Sequence, residues 1–239
     1  MIRYIFVLVL FLGNIAFAQT DKYIVGVEDY NRYPFQYTEN GIYKGRFREI
    51  LDKFAQDERI KFEYVPYKIK DLYPAFFEEK IDLKFPDNPV WRSPQKAKYK
   101  VYYSDFLTYY IDGIFVFEKD INISIPKLYK FGVVDDIILW SLLKKQKRKK
   151  IEIINATSCA ELVNMLLDGK IRGIFCNYDV MRHLLKNSEY KEKIVMNFDL
   201  PFIDNYYHIS SIKHPDLIEK FNKWIVKNRD FVESRAHEK

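Results

Sequence analysis

The stretch YIVGVEDYNRYPFQYTENGIYKGRFREILDKFA, residues 23–55, indicates how this chain is built. It opens with an apolar run from Tyr23 to Val27 that predicts a β-strand, and a polar loop follows from Glu28 to Gly45. Apolar residues then recur at the spacing of one helix face, at Phe47, Ile50, Leu51 and Phe54. The stretch therefore predicts a strand, a long loop and an amphipathic helix, in that order.

The alternation of strand and helix continues beyond this stretch. Strand patterns span Phe62–Val65 and Ile81–Phe85, and Asp71 is placed to cap a helix between them, with Pro74 in its first turn. Strand–helix–strand order predicts parallel strands joined by crossover helices. The first part of the chain therefore predicts one α/β unit.

A second alternating set of elements follows. Strand patterns span Gly113–Phe117, Lys130–Val134, Ile151–Ile154, Gly173–Cys176 and Ile194–Asn197. Ser158 with Glu161 predicts a capping box at a helix start, and Gly169 predicts the end of that helix. A strand from Tyr207 to Ile212 and a helix from Pro215 are expected to return to the first unit. Two facing units would enclose a cleft, where small ligands commonly bind.

The composition fits a folded protein. The chain has 239 residues, 48% of them hydrophobic, with charged residues interspersed, and this excludes a disordered chain. Its 19 Tyr and 19 Phe suit either a packed core or a cleft for a polar ligand.

The first eighteen residues predict an export signal. Arg3 precedes an apolar run from Ile5 to Ile15, and Ala16-Phe17-Ala18 has the small-x-small pattern of a cleavage site. A membrane anchor is the alternative, but the run falls short of the roughly 20 residues that span a bilayer. We expect a periplasmic protein that is cleaved after Ala18.

Charge and cysteine content each leave two interpretations. The formal net charge is +6, and the densest basic run, Lys144–Lys150, is either an anion-binding patch or the C-terminus of a helix, where cations complement the dipole. The helix is preferred because an apolar helical pattern precedes the run, so we expect no nucleic-acid partner. Cys159 and Cys176 either form one disulfide, as export would allow, or are two buried thiols.

No catalytic pattern is present in the sequence. It has no HExxH, GxSxG or CxxC motif and no glycine-rich phosphate loop, and its four histidines are scattered. We therefore predict no catalytic residue, metal ion or cofactor.

The opening stretch resembles the start of the bacterial extracellular solute-binding proteins of family 3, the periplasmic amino-acid-binding type. The resemblance lies in Val25-Gly26-Val27, Tyr33-Pro34-Phe35, Asn40-Gly41 and Gly45. Further segments are similar in order and spacing, namely LYPAFFEEKIDL, KYKVYYSDFLTYYIDGIFVF, LVNMLLDGKIRGIFCNYDV and YYHISSIKHPDLIEKFNKWI.

The resemblance implies an α/β, two-lobed periplasmic-binding-protein fold of type II with a ligand cleft between the lobes. The expected division is a signal peptide at 1–18, lobe 1 at 19–114, lobe 2 at 115–204 and a return to lobe 1 at 205–239. It also implies a monomer whose lobes close on a small polar ligand, which is then delivered to the membrane permease of an ABC transporter.

Two positions depart from the family pattern. The arginine that clamps the ligand carboxylate in the amino-acid binders is Lys96 here, and the aspartate that pairs with the ligand ammonium is Asn177. The ligand is therefore expected to be anionic or amino-acid-like. We predict that Lys84 binds the ligand in place of the missing arginine, together with Asp87 and Asn88 on a loop stiffened by two prolines. We call this the replacement clamp. The competing interpretation is a solvated edge lysine beside a plain turn.

Twelve residues are predicted to contact the ligand: Tyr30, Tyr33, Phe35, Lys84, Asp87, Asn88, Trp91, Arg92, Lys96, Tyr110, Asn177 and Tyr206. For each aromatic residue, core packing is the competing role. Two other functions stay open, a dehydratase-like enzyme on the same scaffold and a ligand-sensing module that acts through a separate membrane receptor.

Overall fold

The computed structural model describes residues 20–134 and 151–237. The predicted signal peptide and the basic run Lys144–Lys150 lie outside these residues. Within the described ranges, no helix is both long enough and apolar enough to cross a membrane.

The structure alternates strands and helices. The strands are β1 (Lys22–Glu28), β2 (Tyr37–Glu39), β3 (Ile42–Lys44), β4 (Lys61–Tyr67), β5 (Leu83–Asp87), β6 (Tyr102–Tyr103), β7 (Thr108–Phe117), β8 (Lys130–Val134), β9 (Glu152–Ala156), β10 (Gly173–Asn177), β11 (Ile194–Met196) and β12 (Ile203–Ser211). The α-helices are α1 (Arg46–Asp57), α2 (Ile69–Phe77), α3 (Ser93–Lys96), α4 (Cys159–Leu167), α5 (Tyr178–Leu185), α6 (Pro215–Lys227) and α7 (Arg229–Ala236). Short 3₁₀ turns span Glu118–Asp120 and Ile125–Lys127.

The main sheet joins two α/β units through two long strands. Its strand order is β4-β1-β5-β12-β7-β10-β8-β9, with β11 paired to β7 and β6 to β12. We call the β4-β1-β5 side lobe 1 and the β7-β10-β8-β9 side lobe 2. The strands β1, β4 and β5 pair in parallel, which confirms the parallel pairing predicted for the first unit, and β8, β9 and β10 also pair in parallel. The class of fold is therefore α/β with two lobes, as predicted.

Strand β12 belongs to both lobes. Its first part pairs with β7 from Ile203 opposite Asp112 to Tyr207 opposite Thr108. Its second part pairs with β5, with His208 opposite Asp87. The crossing between the lobes therefore lies directly beside the carboxyl end of β5.

The predicted helix faces are confirmed. Phe47, Ile50, Leu51 and Phe54 are all buried on α1, and α6 buries Leu217, Ile218, Phe221, Trp224 and Ile225. These apolar faces pack into one core, which also contains the ring contact between Phe54 and Phe221 at 4.8 Å. Burial of these stripes provides most of the stability of such helices.

The start of α4 carries the predicted cap and one covalent link. The Ser158 hydroxyl accepts a 3.2 Å hydrogen bond from the Glu161 amide, and the Glu161 carboxylate accepts one from the Thr157 amide at 2.8 Å. Cys159 forms a disulfide with Cys176, the fourth residue of β10. Of the two interpretations of the cysteines, the disulfide is therefore correct.

Two local predictions are wrong. The strand predicted to end at Phe85 continues through Pro86 to Asp87 as β5. Pro86 is tolerated because the pairing of β5 with β1 ends at Phe85 and its register with β12 shifts nearby, so the missing N–H of Pro86 breaks no ladder hydrogen bond. Helix α2 begins at Ile69 after Lys68, which places Asp71 in the first turn and not at the cap.

Candidate functional site

The carboxyl end of β5 holds a buried ion cluster. Asp87 and Lys84 are fully buried, and Lys96 is 5% exposed. The Lys96 ammonium lies 2.6 Å from Asp87 Oδ1, and the Lys84 ammonium lies 3.2 Å from the same oxygen. The other carboxylate oxygen accepts a 2.6 Å hydrogen bond from the Ser210 hydroxyl. The interpretation of Lys84 as a solvated edge residue is therefore wrong.

The backbone completes this cluster. Lys84 donates to the carbonyl of Pro86 and Lys96 to the carbonyl of Asn88, each at 2.7 Å. Burial favours the neutral form of Asp87, but the two lysine charges and the hydrogen bonds outweigh it and hold the pKa of this carboxyl below its ordinary value. Burial lowers the pKa of Lys96 to about 8, against the opposing effect of Asp87.

Aromatic rings surround the two lysines. The Tyr73 ring centroid lies 4.6 Å from the Lys84 ammonium, 5.0 Å from the Arg92 guanidinium carbon and 5.6 Å from the Lys96 ammonium. Trp91 lies 5.5 Å from the Lys84 ammonium. Cations this close to ring faces are stabilised by the ring quadrupole. The ammonium groups of Lys84 and Lys96 thus contact Asp87, backbone carbonyls and aromatic rings within lobe 1. Contact of either lysine with a ligand stays a prediction.

A buried arginine occupies the space between the lobes. Arg32, in the loop after β1, is 8% exposed and donates a 2.5 Å hydrogen bond from Nη1 to the Tyr207 hydroxyl on β12. Its guanidinium carbon lies 4.8 Å from the Tyr30 ring centroid and 5.6 Å from that of Tyr207. Sequence reasoning missed Arg32, although it directly precedes the Tyr33-Pro34-Phe35 motif.

A carboxylate faces this arginine from lobe 2. Asp112 on β7 pairs in register with Asn177 on β10, and the Asn177 amide donates a 2.9 Å hydrogen bond to Asp112 Oδ1. Asn177 also caps α5 by accepting a 3.2 Å hydrogen bond from the Val180 amide. Burial raises the pKa of the Asp112 carboxyl, and the Arg32 charge and the Asn177 hydrogen bond oppose this rise. A carboxyl group, that of Asp112, therefore lies directly beside Asn177.

These groups surround a small interlobe cavity. Its volume is about 10 Å³, and its lining includes Arg32, Tyr110, Tyr207, Asn177 and Asp179. This is room for about one water molecule. The lobes also touch directly, since Asn31 forms an isolated parallel bridge with Ser158 and the rings of Tyr33 and His183 lie 5.3 Å apart. The two lobes are therefore in contact beside this cavity.

Polar atoms without partners lie in lobe 1 near the arginine. Glu28 Oε2, both amide atoms of Gln36 and the Tyr43 hydroxyl are buried and make no hydrogen bond within the described part of the chain. Glu28 is 3% exposed and Gln36 is fully buried. Because buried polar groups normally find a partner, these atoms are available to a ligand or an ordered water.

The structure separates the twelve predicted contacts into groups. Phe35, Tyr110 and Asn177 line the cavity, and Tyr30 contacts Arg32. Tyr33 and Tyr206 are 49% and 46% exposed, and Trp91 packs on Tyr110 and Tyr207 with ring centroids 6.0 and 6.1 Å apart. Lys84, Asp87 and Lys96 belong to the ion cluster, Asn88 donates to the Tyr206 carbonyl at 2.7 Å, and Arg92 lies on Tyr73. A role in ligand contact stays a prediction for all twelve.

No group of three or more His, Cys, Asp or Glu side chains in residues 20–134 and 151–237 is arranged to hold a metal ion. The interlobe site is instead built from the Arg32 guanidinium, the carboxyls of Asp112 and Asp179, the Asn177 amide and tyrosines, which are groups that recognise small polar molecules by hydrogen bonding.

Comparison with solved structures identifies the fold. The ArtJ protein of Geobacillus stearothermophilus, which binds arginine, lysine and histidine, has a TM-score of 0.68 at 17% identity, covering 89% of this chain and 93% of its own. An ancestral arginine-binding protein bound to glutamine has a TM-score of 0.67 at 21% identity, covering 91% and 97%. The ancestral amino-acid-binding protein AncCDT-1, a precursor of cyclohexadienyl dehydratase, has a TM-score of 0.67 at 19% identity, covering 89% and 92%.

The chain therefore has the two-lobed fold of the periplasmic amino-acid-binding proteins. No protein-family model matches its sequence. No curated protein matches it either.

Proposed function

We propose that this chain is a periplasmic solute-binding protein that captures a small, amino-acid-like ligand by lobe closure and delivers it to an ABC-type permease. The observation that carries the proposal is the placement of Arg32 of lobe 1 in the wall of the interlobe cavity, with Asp112 of lobe 2 hydrogen-bonded to Asn177, which lines the same cavity. Arg32 donates to the Tyr207 hydroxyl through Nη1, and Asp112 accepts from the Asn177 amide through Oδ1. The other polar atoms of the guanidinium and of the carboxyl would bind complementary groups of a ligand.

The chemistry of the two charges suits a zwitterion. A guanidinium presents paired donors that match a carboxylate, and a buried carboxylate matches an ammonium. Lys84 and Lys96 both donate to Asp87 and to backbone carbonyls, so their ammonium groups are already engaged inside lobe 1. The unpartnered oxygen of Glu28 would bind a donor on the ligand side chain. We therefore favour an amino acid over a purely anionic solute.

Calorimetric titration of the mature protein with L-arginine, L-glutamine, L-glutamate and succinate tests this proposal. A ligand at 100 times its Kd should also stabilise the protein by about 2.7 kcal/mol in thermal denaturation. Arg32→Gln and Asp112→Asn should each weaken amino-acid binding at least tenfold, whereas Lys170→Gln, which removes an exposed ion pair with Asp168, should leave it unchanged. Tight binding of succinate with no binding of amino acids would contradict the zwitterion.

The replacement clamp predicted at the end of β5 has its own test. Lys84→Ala leaves Lys96 to compensate Asp87, so a folded variant is expected. A loss of ligand affinity in this variant would support contact between Lys84 and the ligand. Unchanged affinity would assign Lys84 to the ion cluster alone.

An enzyme of dehydratase type is the second candidate. The observation that favours it is Asp112, a buried carboxyl whose pKa is raised by burial, since a positioned carboxyl can transfer a proton in general acid–base catalysis. Mass spectrometry of ligands incubated with the protein separates the two functions. A binding protein returns the ligand unchanged, and an enzyme returns product at more than stoichiometric amounts.

The export of the protein and the delivery of its ligand to a permease are tested with the exported protein and with whole cells. N-terminal sequencing of the exported protein should find residue 19 first, and light scattering should find a monomer. Uptake of the bound amino acid should fall when the gene is deleted. Unchanged uptake together with a ligand-dependent signalling defect would favour the sensing module.

A further inference from the structure

His237, which follows α7, reaches from one lobe to the other. Its Nδ1 lies 3.2 Å from the Asp179 carboxylate at the start of α5 in lobe 2. Its Nε2 lies 2.8 Å from the Thr108 hydroxyl at the start of β7. Its ring packs on Tyr109 with centroids 4.4 Å apart. Both imidazole nitrogens are therefore engaged on the lobe 2 side of the crossing strands.

The backbone around His237 is held by lobe 1. Arg46, the first residue of α1, donates a 3.1 Å hydrogen bond to the His237 carbonyl. The preceding helix α7 pairs Arg235 with Glu49 of α1 at 2.7 Å. The same residue thus has its carbonyl bonded to lobe 1 and its side chain bonded to lobe 2.

The tail also forms part of the wall of the interlobe cavity. Ala236 and Asp179 both line it, together with Asn177 and Val180 from the turn that starts α5. Asp179 is 16% exposed in its side chain, and His237 is 25% exposed. A change in the orientation of Asp179 would therefore change the surface that meets a ligand.

We propose that His237 is a positioning residue for the ligand cleft, which fixes the Asp179 carboxylate and stabilises the closed arrangement of the lobes. This inference rests on the proposed function for its effect on ligand binding, but its effect on lobe closure does not. The Nδ1–H donates to Asp179 in the neutral ring as well as in the charged one, while Nε2 either accepts from or donates to Thr108. The bridge between the lobes therefore persists in both forms of the ring.

Two single variants, their double variant and one control variant of the mature protein test the proposal. His237→Phe keeps the ring packing on Tyr109 and removes both polar contacts, and Asp179→Asn removes the carboxylate from the other side. Ser234→Ala is the matched control, since its hydroxyl bonds only to the Phe231 carbonyl within α7. Small-angle X-ray scattering measures the radius of gyration without added ligand, and calorimetry measures binding of L-arginine and L-glutamine.

His237→Phe and Asp179→Asn should each increase the radius of gyration and weaken binding of the amino acid probe by about tenfold. The double variant should lose little more than either single one, because both remove the same contact. An unchanged radius of gyration and unchanged affinity in folded His237→Phe would overturn the proposal. If the wild type binds no probe, the proposed function fails, and the radius of gyration alone decides whether His237 holds the lobes together.

Discussion

Asp87 and Lys96 form a buried ion pair of 2.6 Å at the end of a central strand, and Lys84 shares the same carboxylate oxygen. Two cations therefore meet one anion where almost no solvent reaches. Removing charges from water is costly, and the carboxylate is the group that compensates both lysines. The stability of lobe 1 should depend on this one carboxylate more than on either lysine.

Asp87→Asn should lower the free energy of unfolding by about 3–5 kcal/mol, because it leaves two buried ammonium groups without a counter-charge. Urea denaturation measures the change. Asp168→Asn is the control, since its pair with Lys170 is exposed and should be worth less than about 1 kcal/mol. Equal losses in the two variants would show that the buried cluster is no more important than a surface pair.

Stability should rise as the pH increases from about 8 towards 10. The pKa of Lys96 is about 8 in the folded chain and near 10.5 when unfolded, so the unfolded chain binds more protons in this interval. The sign is therefore opposite to that of a lysine whose pKa is raised by an ion pair. Urea denaturation at several pH values should show a positive slope in the wild type and a flatter one in Lys96→Met. A falling wild-type stability across the interval would refute the lowered pKa.

Sequence periodicity predicts elements well here and the surroundings of single side chains poorly. The spacing of Phe47, Ile50, Leu51 and Phe54 predicts the buried face of α1 because helix periodicity is local. The alternation of side chains along β5 places Lys84 on the face opposite Leu83 and Phe85, but it does not show which residues pack on that face. One of them is Ser210, which bonds to Asp87 from 123 residues further along the chain, and a contact this distant leaves no local sequence pattern.

The two charged residues Arg32 and Asp112 of the interlobe site were missed for a related reason. Arg32 and Asp112 lie on different lobes, and Tyr207, which accepts the hydrogen bond from Arg32, is 175 residues away from it. The sequence motifs point to the neighbouring aromatic residues and to Asn177, where the family pattern has an aspartate. Asp112, the carboxyl that lies beside Asn177, belongs to the paired strand. Only the register of β10 against β7 brings Asn177 and Asp112 together.

Reducing the disulfide should destabilise lobe 2. Cys159 and Cys176 are 17 residues apart, and closing a loop of that size is worth about 3 kcal/mol. Urea denaturation with and without dithiothreitol should show this loss in the wild type. The Cys159→Ser/Cys176→Ser variant should show the loss already and respond no further to the reductant. A wild type that is insensitive to reductant, with its thiols shown to be free by mass spectrometry, would contradict a stabilising role.

Asn177→Asp should make stability fall with pH. The Asn177 amide lies 2.9 Å from Asp112 Oδ1, so the substitution places two carboxyl groups against each other in a buried site. Two carboxylates this close cannot both ionise easily, and the pKa of one rises.

A group with a raised folded pKa stabilises the protein at low pH, and this stability is lost as the pH passes through that pKa. We expect Asn177→Asp to lose about 1–3 kcal/mol more than the wild type between pH 5 and pH 8, measured by urea denaturation. Asn187→Asp, on the exposed turn after α5, adds the same charge and should follow the wild type. A pH dependence shared by both variants would mean that Asp112 is not the partner of residue 177, and the assignment of Asp112 as the ammonium-binding group would lose its structural basis.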